Sequence, residues 1–305
     1  MQSLLSTLFS ALKFENLYLN HIFKNPKIQT KMKKILFVCL LMVFSISLVF
    51  AQNAPNKTDA NGKKQGLWEE KTPAGTSKGT FTDDLKDGCW TSYAADGKLL
   101  HIDNYNKGKR EGIAVEIDAR GYLVSETYYI NDMIEGTAKK FFYGTNPASL
   151  IDYVHGKING KKKTYYENSA GKLMEESEYK DDIKNGPSNF YLISGEPVAE
   201  YNYVNNMLQG IQKTYYAGKK IMTEQEFTDN LENGFFKEYY ETGKLKSEGF
   251  YIKGQLNGGW KDYDEEGKVK VQGTYVKGVK EGKWLEFDAT GKVIKTTTFT
   301  KGFAK

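Results

Sequence analysis

Cysteine is the first thing this chain lacks. Only Cys39 and Cys89 occur in 305 residues. Cys39 falls in an apolar stretch that reads as removable, so no internal disulfide is expected in what remains. Stability must therefore come from packing and strand pairing, and Cys89 reads as a small residue beside Trp90. Histidine is nearly as scarce (His21, His101, His155). No His-x-x-x-His pair, cysteine pair or mixed His/Cys cluster occurs, so no metal site and no cofactor is expected. An excess of charge of one sign is missing too, although the formal sum of +5 suggests one. Six lysines and one glutamate lie within residues 1–51, and over the other 254 residues basic and acidic groups balance at 37 each. The body of the protein thus offers no general attraction for nucleic acid or for a membrane surface. Only six prolines interrupt the chain, and helical periodicity is absent.

One long apolar run is present. Ile35–Phe50 (ILFVCLLMVFSISLVF) follows the positive segment Met32-Lys33-Lys34 and leads into Val49-Phe50-Ala51. Sixteen residues are short of the ~20 that span a bilayer, so residues 32–51 read as a secretory signal peptide cleaved after Ala51. An uncleaved anchor is the alternative. No cysteine follows the cleavage point to mark a lipoprotein. Residues 1–31 lie upstream of a good n-region, which makes Met32 the expected start, against a genuine N-terminal extension. Residues 52–61 read as a flexible leader. Export to the periplasm, cell surface or medium is the expected localisation.

From Gly66 onward the chain repeats itself. A glycine opens each repeat at positions 66, 88, 112, 136, 160, 186, 210, 234, 258 and 282, a spacing of 24 with one 22 and one 26. Seventeen residues on stands an aromatic, as in Tyr105, Tyr153, Tyr203, Tyr251 and Phe299. Five residues on stands another, as in Tyr93, Phe141, Tyr165, Tyr215 and Phe287, and a second glycine recurs near the middle. Segments such as Phe235–Tyr240 have strand length and aromatic content. The mid-repeat Asp-Gly, Thr-Gly and Glu-Gly pairs and the later Lys-Gly, Asn-Asp and Asp-Asn pairs are residues that accept positive φ. Each repeat is therefore a β-hairpin. The expected fold is all-β: an elongated antiparallel sheet, or open solenoid, of about ten hairpins over residues 62–305. At strand spacing, twenty strands would extend roughly 95 Å. Pro147 and Pro197, near the start of second strands, predict an edge or a bulge.

Chemistry is hard to find in this frame. His155 occupies the turn position held elsewhere by Lys, Asn or Asp, and His101 a variable strand position. The acidic clusters Asp83-Asp84, Asp181-Asp182 and Asp264–Glu266 fall on turns, and no calcium loop of the D-x-D-x-D-G kind appears. No acid breaks the repeat as an inserted active site would, so no catalytic residue is assigned and an enzyme is not expected. One departure rises above the repeat. Six residues after the leading glycine the central repeats place Phe142, Tyr166, Leu192, Tyr216 and Tyr240, where outer repeats have Ala94, Asp118, Asp264 and Asp288. Alternation along a strand would put aromatics on both faces there. This column is core, or it is a platform for a glycan, peptide or partner protein in which Phe142, Tyr166, Tyr216 and Tyr240 are the candidate binding residues.

The segment Gly243–Lys268, GKLKSEGFYIKGQLNGGWKDYDEEGK, resembles the MORN-repeat variant of bacterial proteins labelled YwqK-family antitoxins. It shares their G-K-aliphatic start, the aromatic before Lys-Gly, and G-x-W-x-x-Y. The resemblance runs over residues 62–305, best in the last three repeats. It implies MORN-like hairpin repeats with an interaction or scaffold role. A non-enzymatic binding protein with a protein partner is the leading expectation. A toxin-binding antitoxin or immunity-like protein is the alternative, and a glycan-binding or glycan-active envelope protein the remote one.

Overall fold

The computed structural model describes residues 55–143 and 146–305. The apolar run and the expected cleavage point lie outside the described residues. What is described divides into two compact units. Within the first, which includes Phe81–Asp84, Lys57–Thr58 pair antiparallel with Lys64 and Gln65. Part of the segment read as a leader is thus a small hairpin. Asp59 closes it by accepting the N–H groups of Asn61 and Lys63 at 2.8 and 2.9 Å. Trp68 meets Phe81 edge to face at 5.5 Å, with the Lys64 ammonium 4.5 Å from each ring.

The second unit, which runs on from Leu85 to Lys305, contains the repeats from Gly88 onward. Its regular structure is antiparallel β throughout, apart from one 3-10 turn at Ala217–Lys219. The seventh repeat shows the register: Gly210 faces Phe227, Gln212 faces Gln225 and Lys213 faces Glu224. The next pairing keeps the same rows, with Gln225 opposite Phe236 and Glu224 opposite Lys237. Because a 24-residue period with a fixed register brings equivalent residues to equivalent heights, each repeat position becomes a column running across the strands.

Two irregularities recur. Near the mid-hairpin turn, Thr214 pairs with Thr223 but Tyr215 with Ile221, so Met222 is left over as a bulge. The same shift recurs in the other repeats, including those where Pro147 and Pro197 open their strands. Proline lacks a ladder donor, and a bulge beside it removes the need for one. The second irregularity is the leading glycine, which interrupts the pairing between repeats with positive φ, +115° at Gly160 and +134° at Gly234. The side chains of Asp152 and Glu226 lie over these glycines, and a Cβ would come within 3.0 and 2.7 Å of theirs. Conformation and space both require glycine there.

The packed face consists of two columns, the second position after the leading glycine and the fifteenth. Trp90 and Trp284 are 3% and 4% exposed. Each faces a glycine eleven residues earlier: a Cβ on Gly79 or Gly273 would sit 2.2 or 2.1 Å from the indole. Gly249 stands likewise to Trp260. Aromatics at position 17 complete the row, with Trp260, Tyr275, Trp284 and Phe299 meeting edge to face at centroid distances of 5.9, 5.0 and 6.2 Å. In the middle repeats the same columns hold small or amide side chains, Ser177, Ser188, Gln212 and Gln225, all buried. Gln212 is satisfied there: it accepts from Asn202 N–H at 2.8 Å and donates to the Gln209 and Gly210 carbonyls at 3.1 Å.

Candidate functional site

The turns at the two ends of the hairpins are the places where side chains vary. At the second turn both central residues have positive φ, as in Asn205 and Asn206 (52° and 66°) or Lys253 and Gly254 (49° and 78°). That is the geometry whose twist matches a hairpin of right-twisted strands. Each such turn is tied to the repeat before it. The N–H of Asn206 donates to Lys184 O at 2.9 Å, and Asn206 Oδ1 accepts from Lys184 N–H at 2.7 Å. Asn230 and Leu208 repeat the exchange, as do Asp182 and Ile158. The Asp181-Asp182 cluster is a member of this stack, and within the first unit Asp84 makes the same exchange with Lys64. Among the described residues no group of three or more His, Cys, Asp or Glu side chains is placed to hold a metal ion. His155 is a turn residue whose N–H donates to Glu135 Oε2 at 2.8 Å, a bond that holds that carboxyl below its usual range. His101 stands exposed on Leu99–Asn106 opposite Ser92 and Glu116.

The same edge carries an apolar row. Residues flanking the second turns pair across it, Ile130 with Met133, Val204 with Met207 and Val276 with Val279. Ile130, Val204, Leu231, Ile252, Val276 and Val279 are 37–50% exposed. From the Asn131-Asp132 turn onward the repeat length places one or two apolar residues beside each turn, whereas Asn106 and Lys109 flank the Lys107-Gly108 turn. Composition does not reveal the row, because each apolar residue stands next to Asn, Asp, Lys or Gly in sequence.

At the other end of the hairpins lies the column singled out from sequence. The first strands end at position 5, at Phe141, Tyr165, Tyr215 and Tyr239. Position 6 therefore opens the turn, and the simple face-to-face alternation expected between positions 5 and 6 does not extend to it. Phe142, Tyr166, Tyr216 and Tyr240 are all half-buried, and Leu192 is exposed. Two uses of the position are visible. Where it is aspartate, the carboxylate closes its own turn: Asp264 Oδ1 accepts the N–H groups of Glu266 and Lys268, and Asp288 those of Thr290 and Lys292. Where it is tyrosine, the hydroxyl reaches the following repeat. Tyr166 donates to Tyr191 O at 2.8 Å, Tyr216 to Tyr239 O at 2.9 Å and Tyr240 to Tyr263 O at 2.7 Å. The short acid caps a turn locally, and the long phenol staples one turn to the next.

Beside this column, position 5 tyrosines meet glutamates of position 14. Tyr239 donates to Glu224 at 2.8 Å and Tyr263 to Glu248 at 2.6 Å. Burial, reinforced by those carboxylates, pushes both phenols up to about 12, and burial with Glu200 nearby does the same to Tyr215. Lys213 and Lys261 lie 3.5 and 3.7 Å from the same two glutamates.

Phe142 differs from the three tyrosines in its surroundings. It lines a cleft of about 240 Å³ with Asp118, Tyr122, Phe141, Tyr143 and Glu167. Asp118 Oδ2 holds the Arg120 guanidinium at 2.7 Å, and that guanidinium stands 4.3 Å from the Tyr143 ring centre. The Tyr122 and Tyr143 rings meet edge to face at 6.4 Å and are 45% and 56% exposed. Tyr122 replaces the lysine that follows the mid-hairpin glycine in six repeats, and Tyr143 stands where the other repeats from the second to the tenth have Ala, Glu or Ile. This break in the pattern is the sequence signal for the cleft, and tracking positions 5 and 6 alone passes over it.

Four segments match the MORN repeat variant: residues 86–107, 232–253, 256–277 and 280–301. Each match begins two residues before a leading glycine and ends on the first residue of a second turn, so its period is the structural one. The chain is similar to MORN repeats over these segments. No curated protein matches the chain.

Proposed function

We propose that this chain is an exported, non-enzymatic repeat protein that serves as a protein-interaction or scaffolding surface. The observation that carries the reading is the apolar row beside the second turns, where Ile130, Val204, Ile252, Val276 and Val279 stay exposed at repeat spacing. Scattered apolar residues on a surface need no explanation, but their recurrence along one edge at repeat spacing favours an interaction site. The MORN-variant segments are compatible with this use. The finer kinship with YwqK-family antitoxins rests on the motif in Gly243–Lys268 and makes a toxin one form the protein partner would take. Export rests on Met32–Ala51.

The test is affinity capture from envelope extracts, comparing the parent protein with Ile252→Ser/Val276→Ser/Val279→Ser. These side chains are exposed, so the triple variant should fold, which circular dichroism checks. A protein captured by the parent and lost by the variant supports the surface. Identical capture by both, or no enrichment by the parent, overturns it.

A further inference from the structure

We infer that the cleft lined by Tyr122, Phe142, Tyr143 and Glu167 is a binding subsite for one ring of a neutral sugar. This goes beyond the proposed interaction role and does not depend on the apolar row.

The argument begins with departures from the repeat. Arg120, Tyr122 and Tyr143 leave the pattern of the other turns, and they converge on one place although Tyr143 lies in a different repeat. A turn needs none of them. Asp118 already closes its turn by accepting from the N–H groups of Arg120 and Tyr122 at 2.9 and 3.0 Å. Large tyrosine rings left 45% and 56% exposed beside Phe141 and Phe142 are surface that a structural role would have buried.

The chemistry of the lining selects the ligand. Asp118 is fully engaged, with two backbone donors on Oδ1 and the Arg120 guanidinium on Oδ2 at 2.7 and 3.0 Å. Backbone N–H bonds, that of Tyr122 foremost, together with Arg120 keep its carboxyl below the usual range. Arg120 is thereby held in place with guanidinium donors to spare. Glu167, on the neighbouring turn, is exposed and makes no hydrogen bond or ion pair among the described residues. The cleft thus offers an unengaged acceptor and aromatic rings, and the Arg120 guanidinium stands beside two of those rings as a fixed donor. A cation would meet Arg120 already over Tyr143, and an anion would meet Glu167. A polyhydroxyl ring both donates and accepts, and its C–H face can lie on a phenol ring. The cleft, about 240 Å³, is below the ~300–1,000 Å³ of pockets that enclose drug-sized ligands. It suits a single ring, such as one residue of a longer glycan.

The experiment is saturation-transfer NMR on the full chain with glucose, galactose, mannose and N-acetylglucosamine in turn, and with choline as the cationic probe. At least one sugar is expected to receive saturation. Its affinity is expected to fall ten-fold or more in Tyr143→Ala and in Glu167→Gln, and to be unchanged in Tyr263→Phe, which lies far along the repeats. Should Tyr143→Ala fail to fold, Glu167→Gln decides alone, because its side chain is exposed. No transfer to any of the four sugars at 20 mM overturns the inference. So does transfer that both variants retain, or choline binding more tightly than every sugar, which would make the site an aromatic cage for a cation.

Discussion

Gly273 tests the packing logic of this sheet most directly. It lies within Val269–Val276 and does not have a positive φ, so an alanine there meets no backbone penalty. What it meets is Trp284: the new Cβ would lie 2.1 Å from Cδ2 and 2.2 Å from Cε2, against the 3.4 Å at which ordinary contact begins. The indole would have to retreat by more than 1 Å. It is 4% exposed, with Tyr275 on its edge at 5.0 Å, Phe299 at 6.2 Å and the Lys280 ammonium 4.1 Å from the ring centre. Overpacking a filled site costs about 1–3 kcal/mol. Expelling the indole outright would forfeit the burial of ~150–250 Å², or about 4–6 kcal/mol. A partial shift lies between, so Gly273→Ala should destabilise by about 2–4 kcal/mol. Gly259→Ala is the control, since nothing lies within 4 Å of its Cβ and its φ is ordinary. It should be neutral, or stabilising by up to ~1 kcal/mol. Urea denaturation followed by tryptophan fluorescence and far-UV circular dichroism reads both. The cost of Gly273→Ala should also vanish in a Trp284→Ala background. A Gly273→Ala midpoint equal to that of the parent, or the same cost in both backgrounds, refutes the argument.

Three further outcomes follow from the same geometry. Tyr240→Phe removes only the hydroxyl that donates to Tyr263 O at 2.7 Å, and should cost about 0.5–1.5 kcal/mol while raising amide exchange in the neighbouring mid-hairpin turns. Asn206→Ala forces a Cβ residue without a side-chain oxygen into φ 66° and removes the acceptor of Lys184 N–H; a loss of about 1–2 kcal/mol is expected in thermal melts. The Tyr215, Tyr239 and Tyr263 phenols are raised to about 12. Raised acids of this kind contribute stability that is complete below pH ~10 and is lost as pH climbs towards 12. Denaturation midpoints should therefore fall over that window, and Tyr239→Phe should flatten the fall.

Much of the fold is legible in the sequence, because its determinants are local. Asn, Asp and Gly in pairs specify a turn with two positive φ values, and Asn205-Asn206 and Lys253-Gly254 have them. The aromatic near the end of the repeat faces the leading glycine across the hairpin, as Tyr275 faces Gly258 seventeen residues before it and Tyr179 faces Gly160 in the longer fifth repeat. Pro147 and Pro197 signal irregular pairing, and a bulge is found beside each. The candidate column is legible only as a column. Its residues stand out by their departure from aspartate, but spacing cannot show that the hydroxyls of Tyr166, Tyr216 and Tyr240 reach the next turn. Nor can Gly79, Gly249 and Gly273 be told from turn glycines, since their role is to admit an indole from a strand eleven residues on.

What the sequence determined by itself is the period, the hairpin and its turns, since a 24-residue repeat of glycines and aromatics acts through backbone conformation and nearest neighbours. Tertiary structure alone decided which side chains meet across that period. Register brings Tyr122 and Tyr143 to one cleft with Arg120 beside their rings, and it sets Ile130, Val204, Ile252 and Val276 along one edge. Such contacts join residues about one repeat or more apart in sequence, and a column exists only once neighbouring hairpins have paired at a common height.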